Sequence, residues 1–135
     1  MKDLNLKLEG IMTRPAISAR KDTTAKDIAF EIFYGFFSGM PVTDENGKVI
    51  GVVTELDLLK QVDAGKDFER ITADDIMTKE PLTVDVNTSL KDVLAIMIEK
   101  NIIRIPVTDE SRLVGVISRR DILRHYLQPE HFRHF

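Results

Sequence analysis

Cysteine is missing from this chain altogether, which rules out disulfides, thiolate nucleophiles and thiolate zinc sites and is compatible with a reducing compartment. A basic excess is missing too. With a net charge of −3 the protein lacks the positive balance by which nucleic-acid binders attract phosphate, and its arginines are local rather than global. The most apolar stretch is broken by Glu31, Gly35 and Ser38 well short of a membrane span, and the opening MKDLNLKLEG has no apolar targeting segment. A cytoplasmic protein is therefore expected, with neither membrane nor nucleic acid as partner. Catalytic signatures are lacking as well: there is no G-x-S-x-G elbow, no H-E-x-x-H and no P-loop. Asp74-Asp75 lies at a helix start, where capping explains the acids at least as well as acid–base chemistry. His125, His131 and His134 have no ligand spacing. The chain does not read as an enzyme, and no metal site is expected.

What the chain does have is internal repetition. Ile11-Met12-Thr13 returns as Ile76-Met77-Thr78, and Pro41-Val42-Thr43-Asp44-Glu45 as Pro106-Val107-Thr108-Asp109-Glu110, both 65 positions later. Gly51-Val52-Val53-Thr54 with Asp57-Leu58-Leu59 answers Gly115-Val116-Ile117-Ser118 with Asp121-Ile122-Leu123 at 64, because one turn is shorter by a residue. Such a pair implies that neither unit buries its apolar face alone, so that the two stack into one folding unit. At 135 residues, 43% hydrophobic and 30% charged, the chain suits one compact domain. Its expected divisions are a lead-in over 1–10, repeats over 11–63 and 76–127, a linker and the start of the second repeat over 64–75, and a tail over 128–135.

Each repeat reads as strand, helix, two strands, helix. Leu4, Leu6 and Leu8 alternate with polar residues in a lead-in that suits either strand or helix, and Ala16-Ile17-Ser18 is a brief strand candidate. Thr24-Ala25-Lys26-Asp27 and Ser89-Leu90-Lys91-Asp92 share the S/T-x-x-D form that opens a helix. The first of these helices carries Ile28, Ala29, Ile32, Phe33, Phe36 and Phe37 at helical spacing, with Phe30 and Tyr34 on its other side; its counterpart runs from Val93 to Ile98. Both are apolar nearly all round and call for two packing partners each. A twofold homodimer centred on Phe33, Phe36, Phe37 and on Leu94, Met97, Ile98 is the expected solution. Ala64 to Arg70 reads as a passive polar linker, after which Thr72-Ala73-Asp74-Asp75 restarts helix.

The second repeat holds the stretch of greatest chemical interest. Ile103, Ile105 and Val107, then Val114, Val116 and Ile117, mark two strands joined through Asp109-Glu110-Ser111. Ser118 stands where strand gives way to helix, so that its hydroxyl and the first free helix amides converge on a spot that favours an anion. Arg119 and Arg120 in the first turn oppose the helix dipole, at a cost in stability unless something negative binds. Asp121 is placed either to act as a capping-box acid or to accept hydrogen bonds from a ribose diol.

These motifs resemble those of tandem CBS-domain proteins, or Bateman modules: the Ile-Met-Thr opener of both units, the x-P-V-x-D strand at Met40 to Asp44 and Ile105 to Asp109, and the two G-h-h-[ST]-x-x-D-[IL] endings. The likeness covers Ile11 to Leu127. It implies an α/β (α+β) fold of two β-α-β-β-α repeats packed pseudo-symmetrically through their sheets, with two clefts that bind adenosine-containing ligands such as AMP, ADP, ATP or S-adenosylmethionine. In the family the Ser/Thr and Asp of the ending hold ribose and phosphate, residues before x-P-V reach phosphate, and the opener of the other unit helps enclose the base.

Carried over residue by residue, the resemblance assigns a primary cleft to Arg104, Ser118, Arg119, Arg120 and Asp121, closed by Thr13, Ala16 and Ile17. A secondary, weaker cleft falls to Thr54 and Asp57, covered by Thr78 and Leu82. Here the first repeat departs from the pattern. Gly39 occupies the place of Arg104, and Glu55 and Leu56 those of Arg119 and Arg120, so a cationic phosphate clamp gives way to a carboxylate. The implied function is a stand-alone regulatory module that senses an adenine nucleotide as ligand, needs no cofactor, and reports to an effector protein. The alternatives are a structural homodimerisation module with empty clefts, or S-adenosylmethionine binding.

Overall fold

The helix openers behave as their side chains dictate. Thr24 Oγ1 accepts the Asp27 amide at 3.2 Å and Ser89 Oγ the Asp92 amide at 3.1 Å, each satisfying a donor that a helix start leaves unpaired. The computed structural model describes residues 6–35 and 37–127. It contains strands β1 (Ala19–Arg20), β2 (Gly39–Thr43), β3 (Val49–Thr54), β4 (Thr78–Lys79), β5 (Val84–Asp85), β6 (Arg104–Asp109) and β7 (Arg112–Ser118). The helices are α1 (Ala25–Gly35), α2 (Glu55–Asp63), α3 (Ala73–Ile76), α4 (Leu90–Lys100) and α5 (Arg119–Tyr126). One sheet runs in the order β1-β2-β3-β4 and the other β5-β6-β7, with β1 and β5 parallel to their neighbours. This is the mixed α/β architecture that the two repeats imply.

Two compact units make up the chain. Among the described residues, one comprises Ile17–Leu82 with Ser111–Leu113; the other comprises Leu6–Ala16, Thr83–Glu110 and Val114–Leu127. The first unit is built around Ala25, Ile28, Ile32, Met40, Val42, Val53 and Leu58. The second has Leu8, Met12, Leu90, Val93, Met97, Ile105 and Ile117 at its core. Burying each of the larger of these side chains stabilises by about 1.5–3 kcal/mol.

The opener of each repeat is housed with the other repeat. Strand β4 extends the first unit's sheet, with Thr78 opposite Val52 and Lys79 opposite Gly51. In the second unit Thr13 bridges Val116 through both N–H···O bonds, at 2.8 and 3.0 Å. The glycines of the repeated endings permit this approach. A Cβ on Gly51 would lie 2.4 Å from Met77 Sδ, and one on Gly115 2.6 Å from Met12 Sδ. The repeated methionine and the repeated glycine are two sides of one contact.

Turn chemistry accounts for the change of offset from 65 to 64. The second hairpin turns through Glu110 and Ser111, both left-handed with φ of 50° and 70°, which is the backbone of a tight two-residue reversal. The first hairpin spends one residue more. Gly47 takes the left-handed position at φ 83°, and Asp44 Oδ1 accepts the Asn46 and Lys48 amides at 2.9 and 3.0 Å.

Several local expectations are corrected. The first strand lies at Ala19–Arg20 rather than Ala16-Ile17-Ser18, because Ala19 is the buried residue that pairs with Val42, while Ile17 is exposed. Ile103 is also exposed, and its strand begins at Arg104. In the lead-in, Lys7 bridges Ser89 and Leu8–Gly10 form a 3₁₀ turn that buries Leu8 completely. The linker is not passive. Phe68 and Ile71 pack against the first unit's core, their carbonyls accept the Lys26 and Ala25 amides, and Lys26 pairs with Glu69 at 2.8 Å. Of the residues assigned to a dimer face, Met97 is buried within its own unit, Phe37 is half-buried, and Phe33 and Ile98 are exposed, 73% and 79%. Phe30 and Tyr34 join Phe33 on the open side of α1. Phe36, Leu4, His131 and His134 lie outside the described residues. No helix among the described residues is long and apolar enough to cross a membrane.

Candidate functional site

Strand-to-helix junctions position the candidate residues in both units. Ser118 ends β7 in extended conformation and caps α5, its Oγ accepting the Asp121 amide at 3.1 Å while Asp121 Oδ2 accepts the Ser118 amide at 2.8 Å. That reciprocal pair is a capping box. Asp121 is buried, 6% exposed, and its other oxygen is used as well: Oδ1 accepts from Thr13 Oγ1 at 3.1 Å and stands 3.6 Å from the Arg124 guanidinium. The half-buried Arg104 lies in the same field; burial lowers its pKa and the Asp121 charge opposes that shift. Thr13, Arg104, Ser118 and Asp121 are thus brought together, and Ala16 belongs to the same unit.

Arg119 is drawn away. Its Nε donates to the Ile102 carbonyl at 2.9 Å and its Nη2 to Asn101 Oδ1 at 2.7 Å. Asn101 is the left-handed C-cap of α4, so this guanidinium satisfies acceptors at a helix end. Arg120 is exposed and makes no side-chain hydrogen bond or ion pair among the described residues. It is the arginine of the pair that stays available to an anion.

The first unit repeats the frame with different charges. Asp57 Oδ2 accepts both the amide and the hydroxyl of Thr54, at 2.8 and 3.0 Å, and Thr54 Oγ1 takes the Asp57 amide at 3.2 Å. Thr78 is exposed on β4 and Leu82 is 39% exposed. Gly39, at the position of Arg104, has a structural reason to be bare: a Cβ there would lie 2.9 Å from the Val53 carbonyl oxygen and 3.3 Å from Thr54 Cα. Backbone closes the space that a phosphate-directed side chain would need. Ile17 falls in this unit, where it lines a cavity of ≈ 340 Å³ with Ala19, Arg20, Asp27, Ile28 and Met40.

Sequence comparison assigns the two repeats to one known model, the CBS domain, at residues 8–64 and 73–128. The chain belongs to the CBS domain family. Among similar proteins, hypoxic response protein 1 of Mycobacterium tuberculosis is 34% identical over 93 residues, 68% of this chain. The chain spans less than two thirds of the length of the curated relatives it matches, 64% in this instance. The CBS domain pair of protein MJ0100, crystallised with 5′-methylthioadenosine and S-adenosyl-L-methionine, superposes with a TM-score of 0.79 at 27% identity, covering 90% of this chain and 95% of that one. CBSX2 in complex with AMP also gives 0.79 at 27% identity, covering 92% and 98%. Arg124 is the contact that sequence reasoning passed over. It was legible only as one more basic residue on a solvated helix face, since its distance to Asp121 depends on a side-chain rotamer.

Proposed function

We propose that this CBS pair is a regulatory module sensing an adenosine-containing ligand, with a phosphorylated form of the AMP, ADP or ATP type taken in the second unit by Arg104, Ser118, Arg120 and Asp121, next to Thr13. One observation carries the reading: two matched capping boxes differ in charge. Arg104, Arg120 and Arg124 accompany Asp121, whereas Gly39, Leu56 and Lys60 hold the matching places near Asp57, with Glu55 beside them. Phosphate gains short charge-assisted hydrogen bonds from guanidinium, and a neighbouring glutamate repels it. Arg119 takes no part in this clamp. The first-unit set of Thr54, Asp57, Thr78 and Leu82 suits a neutral or cationic adenosyl ligand of the S-adenosylmethionine kind. The complexes of related CBS pairs with AMP and with S-adenosyl-L-methionine support the adenosyl class.

No turnover is required of such a site. Its effect is a shift of packing that an effector protein reads, driven by the ligand's preference for one arrangement. A purely structural homodimer is the second reading, favoured by the exposed Phe30, Phe33 and Tyr34 on α1 and Leu56, Leu59 and Val62 on α2. Thermal denaturation against AMP, ATP, adenosine and S-adenosylmethionine separates the two. A ligand at about 100 times its Kd stabilises by roughly 2.7 kcal/mol, a rise of several degrees in a domain of this size. No rise with any of the four would leave the structural reading in possession.

A further inference from the structure

Asp121 Oδ1 is occupied from within the chain. The hydrogen bond from Thr13 Oγ1 spans 108 positions of sequence, unlike the local bonds by which Asp121 and Ser118 cap α5. Thr13 is an exposed residue, and its backbone is held independently by the two bonds to Val116. Its hydroxyl is therefore not what seats the opener. The first unit has no equivalent: Thr78 holds the matching position, yet among the described residues Asp57 accepts through Oδ2 alone, from Thr54. An alcohol donating to a carboxylate oxygen beside a helix N-terminus has the chemistry of a sugar hydroxyl.

We infer that Thr13 competes within the chain for the place of the sugar. Binding in the second unit exchanges Thr13 Oγ1 for a ligand hydroxyl at Asp121 Oδ1 and releases the Thr13 side chain. The Thr13 side chain becomes the group that registers occupancy, and the first unit binds without such an exchange. This rests on the adenosyl reading above and adds to it the residue that sets how much a sugar hydroxyl contributes. One hydrogen bond replaces another, so the native protein gains little from the sugar hydroxyls. With Thr13 Oγ1 removed, the same hydroxyls meet an acceptor relieved of its internal hydroxyl donor, and their contribution rises.

Calorimetric titration of the full chain with AMP and with 2′,3′-dideoxy-AMP tests the exchange, in an Asp57→Ala background that leaves the second unit to dominate. Thr13→Val keeps the branched shape and the backbone bridge. Freeing a charged acceptor should tighten AMP about fivefold or more while the dideoxy analogue changes by less than about twofold. Thr13→Ser should return both to native values, and Thr13→Ala serves as the hydroxyl-free variant should the valine form fail to fold. Weaker AMP binding by the hydroxyl-free variants would overturn the inference, since it would mean that the hydroxyl touches the ligand. Equal tightening of both analogues would also overturn it, as a general loosening of the site. Failure of AMP to bind the native protein and every variant would instead remove the adenosyl reading, and the exchange with it.

Discussion

Substituting Gly115 by alanine tests how tightly the first opener is packed into the unit that houses it. The new Cβ would stand 2.6 Å from Met12 Sδ, 3.0 Å from Met12 Cγ and 3.0 Å from the Thr13 carbonyl oxygen. The sulfur can swing away, but the carbonyl is fixed by the Val116 amide at 3.0 Å. Either Met12 leaves a core in which it is 8% exposed, or the bridge parts. Overpacking of this kind costs about 1–3 kcal/mol, and the backbone contact places the estimate toward the upper end. Met12→Ala alone should cost about 2–5 kcal/mol as a large-to-small core change. In the double variant the alanine methyl at position 115 enters the space the methionine vacates, so the two losses should fall short of their sum by about 0.5–3 kcal/mol. Urea denaturation followed by circular dichroism reads all three. Gly10→Ala is the control, because no atom lies within 4 Å of its Cβ, and it should stay within about 0.5 kcal/mol of native. Strict additivity of Gly115→Ala and Met12→Ala would refute the claim that these residues meet.

Further outcomes follow from the charges and the open helix faces. Asp121→Ala should weaken AMP binding more than Asp57→Ala, and Arg104→Ala or Arg120→Ala should weaken AMP more than adenosine, as read by calorimetry; Arg119→Ala should lower the melting temperature and leave the AMP-to-adenosine ratio unchanged. The chain should sediment as a homodimer at micromolar concentration, and Phe33→Glu should shift it toward monomer by placing a charge on an apolar contact; a native monomer would contradict this. Asp44 is held below its ordinary value of 3.8, first by the Lys48 amide, with burial opposing the shift and the Asn46 amide adding to it. A depressed carboxylate stabilises fully above its unfolded value and loses that contribution as the pH falls through the folded one. Amide exchange at Asn46 and Lys48 should therefore stay slow down to about pH 4 and quicken below it, and Asp44→Asn should flatten the profile.

Local chemistry was written plainly in the sequence wherever one side chain answers to neighbours three or four residues away. The boxes at Thr54-Asp57 and Ser118-Asp121 and the caps at Thr24 and Ser89 needed only the S/T-x-x-D spacing, and the repeat itself gave the family and the fold class. Tertiary events were not legible. Arg119 follows Ser118 in sequence as a phosphate ligand would, but its guanidinium is claimed by Asn101, whose left-handed turn at the end of α4 exposes the acceptors. Phe68 sits among charged residues that disguise it as linker, yet it caps the core beneath α1. The choice left open at Asp121 is answered in part: the residue closes a capping box with one oxygen, and its second oxygen is the subject of the exchange proposed above.

The order in which the units become complete follows from where the openers lie. Residues 17–82 form a nearly continuous unit, lacking only Ser111–Leu113, and are inserted into the chain of the other. On the ribosome the first unit has almost all its parts as soon as Leu82 has emerged. The second cannot close until α5 appears, and Thr13 waits for a partner 108 positions later. At roughly 5–20 residues per second that wait lasts roughly 5–20 s, during which Leu8 and Met12 have no core to enter. The nascent chain therefore carries Leu8 and Met12 uncovered past a neighbouring unit that already has nearly all its residues.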